Sequence, residues 1–301
     1  MRGMALSRMV LKAVLLSSMM SLAGLSYGSA AELAPYRDEL FQYPGILQTG
    51  DSGDYLVVDY DEMRDINGRD QIPERRVKQA YVSLQPKRSQ KDLVFRTSGS
   101  GVKAMVVGDI GDRPALVVIY LHGQGGNRQQ GMNDYTFGGN FNRLKNLMAR
   151  NDGVYISPDF TDFGPKGEEE IASLVGYVAG QAPSARIIIA CGSMGGQLCW
   201  SVAANQQAGQ SIAGLVLLGS LWDEDFIGSA AYKRRVPVFF GHGSRDPVFA
   251  VEKQEAFYRK LRSGAKNYPV RFHRFEGGNH GTPIRMTDWR AALNWMLSKA
   301  P

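Results

Sequence analysis

Between residues 115 and 275 short apolar runs alternate with helical stretches, and this alternation constrains the fold more than any other feature. The runs are ALVVIYL (115–121), GVYISP (153–158), RIIIA (186–190), GLVLLGS (214–220), VPVFFG (236–241) and VRFHRF (270–275). Helical patterns at 139–150, 167–180, 195–208, 250–263 and 286–299 separate or follow them. Runs that are apolar at successive positions need cover on both faces, and strands that recur after helices read as parallel. The expected fold class is therefore α/β, with one doubly wound, mostly parallel sheet. LVFRTS and VKAMVVG, joined by GSG at 99–101, read as an antiparallel hairpin at one edge. Residues 31–80 are polar and irregular apart from a strand at 54–60, and read as an N-terminal extension of a domain covering 81–301.

The first thirty residues differ in kind. Arg2, Arg8 and Lys12 precede or enter the apolar stretch AVLLSSMMSLAGL, and Gly28, Ser29, Ala30 and Ala31 follow it. A basic start, a short apolar core and small residues make a secretory signal peptide, with cleavage expected after Ala30 or Ala31 and a periplasmic or secreted product. Its removal takes away three basic and no acidic residues, so the formal charge drops from +6 to +3. The remaining basic stretches, PKRSQK at 86–91 and YKRR at 232–235, lack interleaved aromatics and read as solvated loops, which argues against a nucleic-acid partner. Cys191 and Cys199 are the only cysteines, and a strand end and an inner helix face are expected to hold them as buried thiols. Cysteines and histidines show no metal-ligand spacing, and no cofactor is expected.

The run at 186–190 ends in the sequence ACGSMGGQLCW, where Gly192, Gly195 and Gly196 flank Ser193. Glycines permit close backbone approach, and the residues that follow suit a helix, so strand, sharp turn and helix place Ser193 at a nucleophile elbow. The usual G-x-S-x-G pattern is broken by Cys191 at its first small position; the plainer reading is a serine capping an ordinary helix.

Open parallel sheets bind ligands at the carboxyl ends of their strands. The loops there carry His122-Gly123-Gln124-Gly125-Gly126, then His242-Gly243-Ser244-Arg245-Asp246, then Gly277-Gly278-Asn279-His280. The chain order of serine, acid and histidine is Ser193, Asp246, His280. Taken with the H-G-x-G-G turn, the G-H-G-x-x-D loop and the late G-x-x-H loop, residues 80–300 resemble the α/β-hydrolase superfamily. The resemblance implies Ser193 as nucleophile, His280 as proton carrier and Asp246 as its acid, with an oxyanion hole of the Gln124 and Met194 backbone amides. Asp223 and Asp225, after the preceding strand, are the competing acids. His122 is expected to hold its loop, while His273 lies inside a strand.

The segment LWDEDFIGSAAYKRR (221–235) is where a cap is inserted in sheets of this kind; it is short, and Trp222 and Phe226 are candidates for walling a substrate pocket, with core packing the alternative for either aromatic. MRDINGRDQIPE (63–74) places Asp65, Asn67, Gly68 and Glu74 at EF-hand offsets, but Met63 stands where the first ligand belongs, so it reads as an acidic surface loop with an Asn-Gly turn. The expected activity is hydrolysis of a carboxylic ester through an acyl-enzyme, on an ester-containing small molecule or acylated polymer. A serine peptidase or thioesterase is the enzymatic rival, and a non-catalytic binding protein on the same fold the rival of another class.

Overall fold

The computed structural model describes residues 32–97 and 101–301. In chain order its strands are β1 Ile46–Gly50, β2 Tyr55–Asp59, β3 Asp70–Gln71, β4 Arg76–Val77, β5 Gln90–Phe95, β6 Val102–Val107, β7 Leu116–Leu121, β8 Val154–Pro158, β9 Arg186–Gly192, β10 Ile212–Leu218, β11 Val238–Gly243 and β12 Val270–Glu276. Ten of them form one sheet in the order β1-β2-β12-β11-β10-β9-β7-β8-β6-β5, and β3 and β4 form a separate two-stranded hairpin. From β2 to β8 every neighbour is parallel, while β6 against β8, β5 against β6 and β1 against β2 are antiparallel. The expected edge hairpin is thus β5–β6; its turn lies partly outside the described residues.

The apolar runs are covered on both faces because successive side chains point to opposite sides. Ile187, Ile189 and Cys191 of β9 pack with Leu174, Leu198, Trp200, Phe257 and Leu261. These come from helices Pro165–Gln181, Gly195–Ala204 and Val251–Gly264. Ile188 and Ala190 pack with Phe141, Leu144, Leu147, Leu293 and Met296 on the opposite face. Each of the isoleucine, leucine, phenylalanine and methionine side chains among them, once buried, stabilises the fold by about 1.5–3 kcal/mol. This double cover makes β9 a rigid base for the turn that follows it.

Residues 32–80 are part of the same compact unit as the rest of the chain from Glu32 to Pro301. β2 extends the parallel array beside β12, with Tyr55 opposite Phe272, and Asp54 Oδ1 accepts from Arg271 Nε at 3.0 Å. The segment at 63–74, expected to be an acidic surface loop, is instead a helical turn, Met63–Asn67, followed by β3. Asp65 and Asp70 are 4% and 2% exposed, because Arg64 and Arg285 pair with them.

Candidate active site

The elbow follows from local sterics. Ser193 has φ +52°, a left-handed conformation that costs a non-glycine residue energy and lifts its side chain out of the strand. The Ser193 amide donates to Leu218 O at 3.1 Å, and Ser220 Oγ–H donates to Ser193 O at 2.7 Å, so β10 and its loop hold the strained turn from one side. Helix Gly195–Ala204 then passes so close to β7 that a Cβ on Gly195 would stand 2.6 Å from Leu121 O, and a Cβ on Gly196 would collide with Ser220 Oγ. Those two glycines are therefore required by packing.

At the first small position, where the pattern usually has glycine, Cys191 forms a disulfide with Cys199, eight residues on. The expectation of two thiols is corrected. Both side chains belong to the same core face, one at the strand end and one on the inward side of the following helix, with Cα atoms 6.4 Å apart. That separation lies within disulfide reach. The bond clamps strand to helix across the elbow and points the cysteine side chain away from the cleft.

The structure brings Ser193, Asp246 and His280 together. Ser193 Oγ lies 2.8 Å from His280 Nε2, and His280 Nδ1 lies 2.8 Å from Asp246 Oδ2. Because a carboxylate only accepts, Nδ1 carries the proton, and Nε2 is left to accept from the serine hydroxyl. The Asp246 side chain is fully buried. Burial opposes its ionisation, but hydrogen bonds from His242, from His280 and from the Val248 and Phe249 amides outweigh that and hold its carboxyl well below the usual range. The amides bind Oδ1 at 2.8 and 3.1 Å.

The H-G-x-G-G turn packs directly against Ser193. A Cβ on Gly123 would lie 2.9 Å from Ser193 Cβ, so only glycine allows this approach. His122 donates from Nδ1 to Gly123 O at 2.9 Å and stacks on Phe160 with ring centroids 4.2 Å apart. Burial lowers its pKa, so it stays a neutral brace for the loop, as expected. The backbone amides of Gln124 and Met194 donate no hydrogen bond among the described residues, which leaves both free to bind an oxyanion.

The other candidates are placed elsewhere. Asp223 Oδ1 accepts from the Asp225 amide at 2.9 Å and caps its own short helical turn, and Asp225 is exposed. Phe226, expected as a pocket wall, is corrected to a core residue: it is 1% exposed and packs against Trp200, because the short connection folds its ring back under the sheet. Trp222 is half-buried against the same core. His273 is buried with its Nδ1 2.7 Å from the Tyr43 hydroxyl, and burial, aided by Arg271, lowers its pKa to about 3. It is a neutral structural histidine.

Sequence reasoning missed His242 as a partner of the acid. Its Nε2 donates to Phe249 O at 2.8 Å and lies 3.3 Å from Asp246 Oδ2, and the ring is entirely buried. The four-residue spacing within H-G-S-R-D was the available signal, since a tight turn after a strand returns the chain onto the strand's last side chain. Missed too was the wall beside His280, formed by Ile66 and Arg75 of the N-terminal segment and Phe137. No short-range pattern links those three positions.

No protein-family model and no curated protein matches the sequence. Solved structures do. A thermostable esterase superposes with a TM-score of 0.57 at 17% identity over 71% of this chain; the chain spans 64% of that protein's length. An esterase from Pyrococcus furiosus gives 0.52 at 17% identity, covering 72% of this chain and 96% of that one. A lidless α/β serine hydrolase from Xanthomonas campestris gives 0.51 at 14% identity, covering 69% and 94%. These likenesses agree with the mostly parallel sheet and its antiparallel edge: the chain has the fold of the α/β-hydrolase superfamily.

Proposed function

We propose that this chain is a serine hydrolase that cleaves carboxylic esters through an acyl-enzyme. The observation that carries the reading is the unbroken relay from Ser193 Oγ through His280 to the buried Asp246 side chain, each link 2.8 Å long, on a strained elbow. Ser193 Oγ attacks the ester carbonyl carbon as its proton passes to His280 Nε2. The imidazolium is stabilised by Asp246 through Nδ1–H, and the carbonyl oxygen, now an oxyanion, is bound by the amides of Gln124 and Met194. Each such donor typically stabilises the transition state by about 3 kcal/mol. On collapse, the bond to the leaving oxygen breaks and His280 Nε2 supplies its proton. Water, deprotonated by the same nitrogen, then attacks the acyl carbon; the bond to Ser193 Oγ breaks, His280 Nε2 returns the proton to Oγ, and the carboxylic acid leaves.

The test combines turnover of short nitrophenyl esters with labelling by a fluorophosphonate. The folded protein is expected to hydrolyse the esters and to be labelled at Ser193 alone; Ser193→Ala loses both. Labelling that maps to Ser220 or Ser244, or ester turnover that persists in Ser193→Ala, overturns the assignment. Turnover of peptide or thioester substrates with no activity on oxygen esters transfers the site to the rival chemistry.

We also infer export. The signal-peptide reading falls on residues outside those described, and the Cys191–Cys199 disulfide supports it, since such bonds persist mainly in oxidising compartments. An intact mass beginning at Ala31 or Glu32 in a periplasmic or medium fraction is the expected result; an unprocessed chain in the membrane fraction contradicts it.

A further inference from the structure

A cavity of about 290 Å³ opens beside the His280 loop, with Asn279 and Gly281, the two neighbours of His280, in its lining. Its other walls are the N-terminal segment, through Arg75, and the turn bearing Thr136 and Phe137. This turn is built to project an aromatic ring: Phe137, Gly138 and Gly139 have φ of +48°, +63° and +75°, and a Cβ on Gly281 would be 3.7 Å from the Phe137 ring edge. Arg285, on the short helix that follows His280, pins the N-terminal wall by donating from both terminal nitrogens to Asp70, at 3.0 and 2.6 Å.

The cavity is lined by donors. Arg285 is neutralised by Asp70, but Arg75 is not matched in the same way: its one ion pair among the described residues, with Glu62 at 3.5 Å, joins side chains that are 59% and 57% exposed. An exposed pair of that length contributes little, so the guanidinium is available to a ligand. Asn279 Oδ1 already accepts from the Gly281 amide at 3.1 Å and from Thr282 Oγ1 at 3.3 Å, and among the described residues no hydrogen bond is made by its Nδ2 donor. Among the residues lining this cavity no carboxylate occurs.

The chemistry of the relay says which half of an ester belongs here. His280 Nε2 must reach the departing oxygen to protonate it, and this cavity is the one that both chain neighbours of His280 line. We propose that this cavity is the leaving-group subsite and that it selects alcohols or phenols bearing an anionic group, bound by Arg75 and Asn279, with their ring against Phe137. The assignment rests on the ester-hydrolase reading above.

Three acetyl esters that share the acyl group and differ in leaving-group charge test it: 3-acetoxybenzoate, phenyl acetate, and 3-acetoxy-N,N,N-trimethylanilinium. Each is measured as kcat/KM divided by its rate with hydroxide, which removes intrinsic leaving ability. The expected order is anionic, neutral, cationic, with the anionic ester favoured over the neutral one about tenfold. Arg75→Gln removes that ratio, Arg75→Lys retains most of it, and Arg75→Glu inverts it toward the cationic ester. Raising ionic strength shrinks the wild-type ratio, as for any partly exposed charge contact. Equal ratios in wild type and Arg75→Gln, or equal losses in Gln and Lys, overturn the subsite while leaving the hydrolase standing. No turnover of any of the three esters by the wild type overturns both.

Discussion

The loops that follow β10 and β11 each present an aspartate near a strand end, Asp223 and Asp246, at the edge of the same cleft-forming side of the sheet. Asp223 uses its carboxylate locally, accepting from the amide two residues on and capping a short helical turn. Asp246 is met from elsewhere: His280 arrives from the loop after β12, His242 from the end of its own strand, and the Val248 and Phe249 amides from the turn. The difference teaches that a carboxylate becomes part of a relay by what surrounds it. Two side chains of one type, one strand apart, are separated by burial and by a histidine that only the closed sheet delivers.

The comparison is broken most directly by Asp246→Asn. An amide in that place disfavours the Nδ1–H tautomer of His280 and stabilises its cation poorly; in the best-studied triad this substitution costs about 10⁴-fold in kcat. The same order of loss is expected here with nitrophenyl acetate. If Asp223→Asn shows the larger loss, the acid belongs to the β10 loop.

His242→Phe sharpens the contrast between support and chemistry. It leaves Phe249 O without its donor and removes one contact to Asp246, so stability should fall by about 1–3 kcal/mol in urea unfolding. Turnover at a temperature where the variant is folded should fall far less than in Asp246→Asn, and an equal fall would make His242 a member of the relay.

Acid titration tests the surroundings of Asp246 through stability. The Asp246 carboxyl is lowered in the folded state, so its ionised form contributes stability above the unfolded carboxylate pKa of about 3.9, and this is lost as pH falls through the folded value. The stability of wild type relative to Asp246→Asn should therefore decline as pH falls below about 4. A difference that does not change with pH would show that the hydrogen bonds to Asp246 do not favour its charge. The smallest effect belongs to Asp223→Asn: an asparagine caps the turn nearly as well, so turnover should stay within about twofold and stability within about 0.5 kcal/mol.

Much of the site was legible because its parts are local demands on the backbone. Apolar runs that tolerate no water on either face had to be inner strands, and a serine among Gly192, Gly195 and Gly196 had to sit where strand and helix pass too closely for a Cβ. Strand-end loops with histidine and aspartate then followed in chain order. The sheet's parallel centre, its edge hairpin and the strand near residue 54 were read from the same periodicity.

What the tertiary structure alone decided is the direction and company of side chains. Phe226 is as apolar as any pocket wall, and it went under the sheet because the connection after β10 turns inward onto Trp200. Cys191 and Cys199 read as buried thiols, and form a disulfide because a strand end and the next helix bring them to one core face at bonding distance. Residues 32–80 carry few long-range signals, yet β2 completes the parallel array and Arg75 reaches the His280 loop across about two hundred residues of sequence. Periodicity records how each segment meets water; it holds no record of which distant segment will meet it, and that pairing is settled only when the whole sheet closes its core.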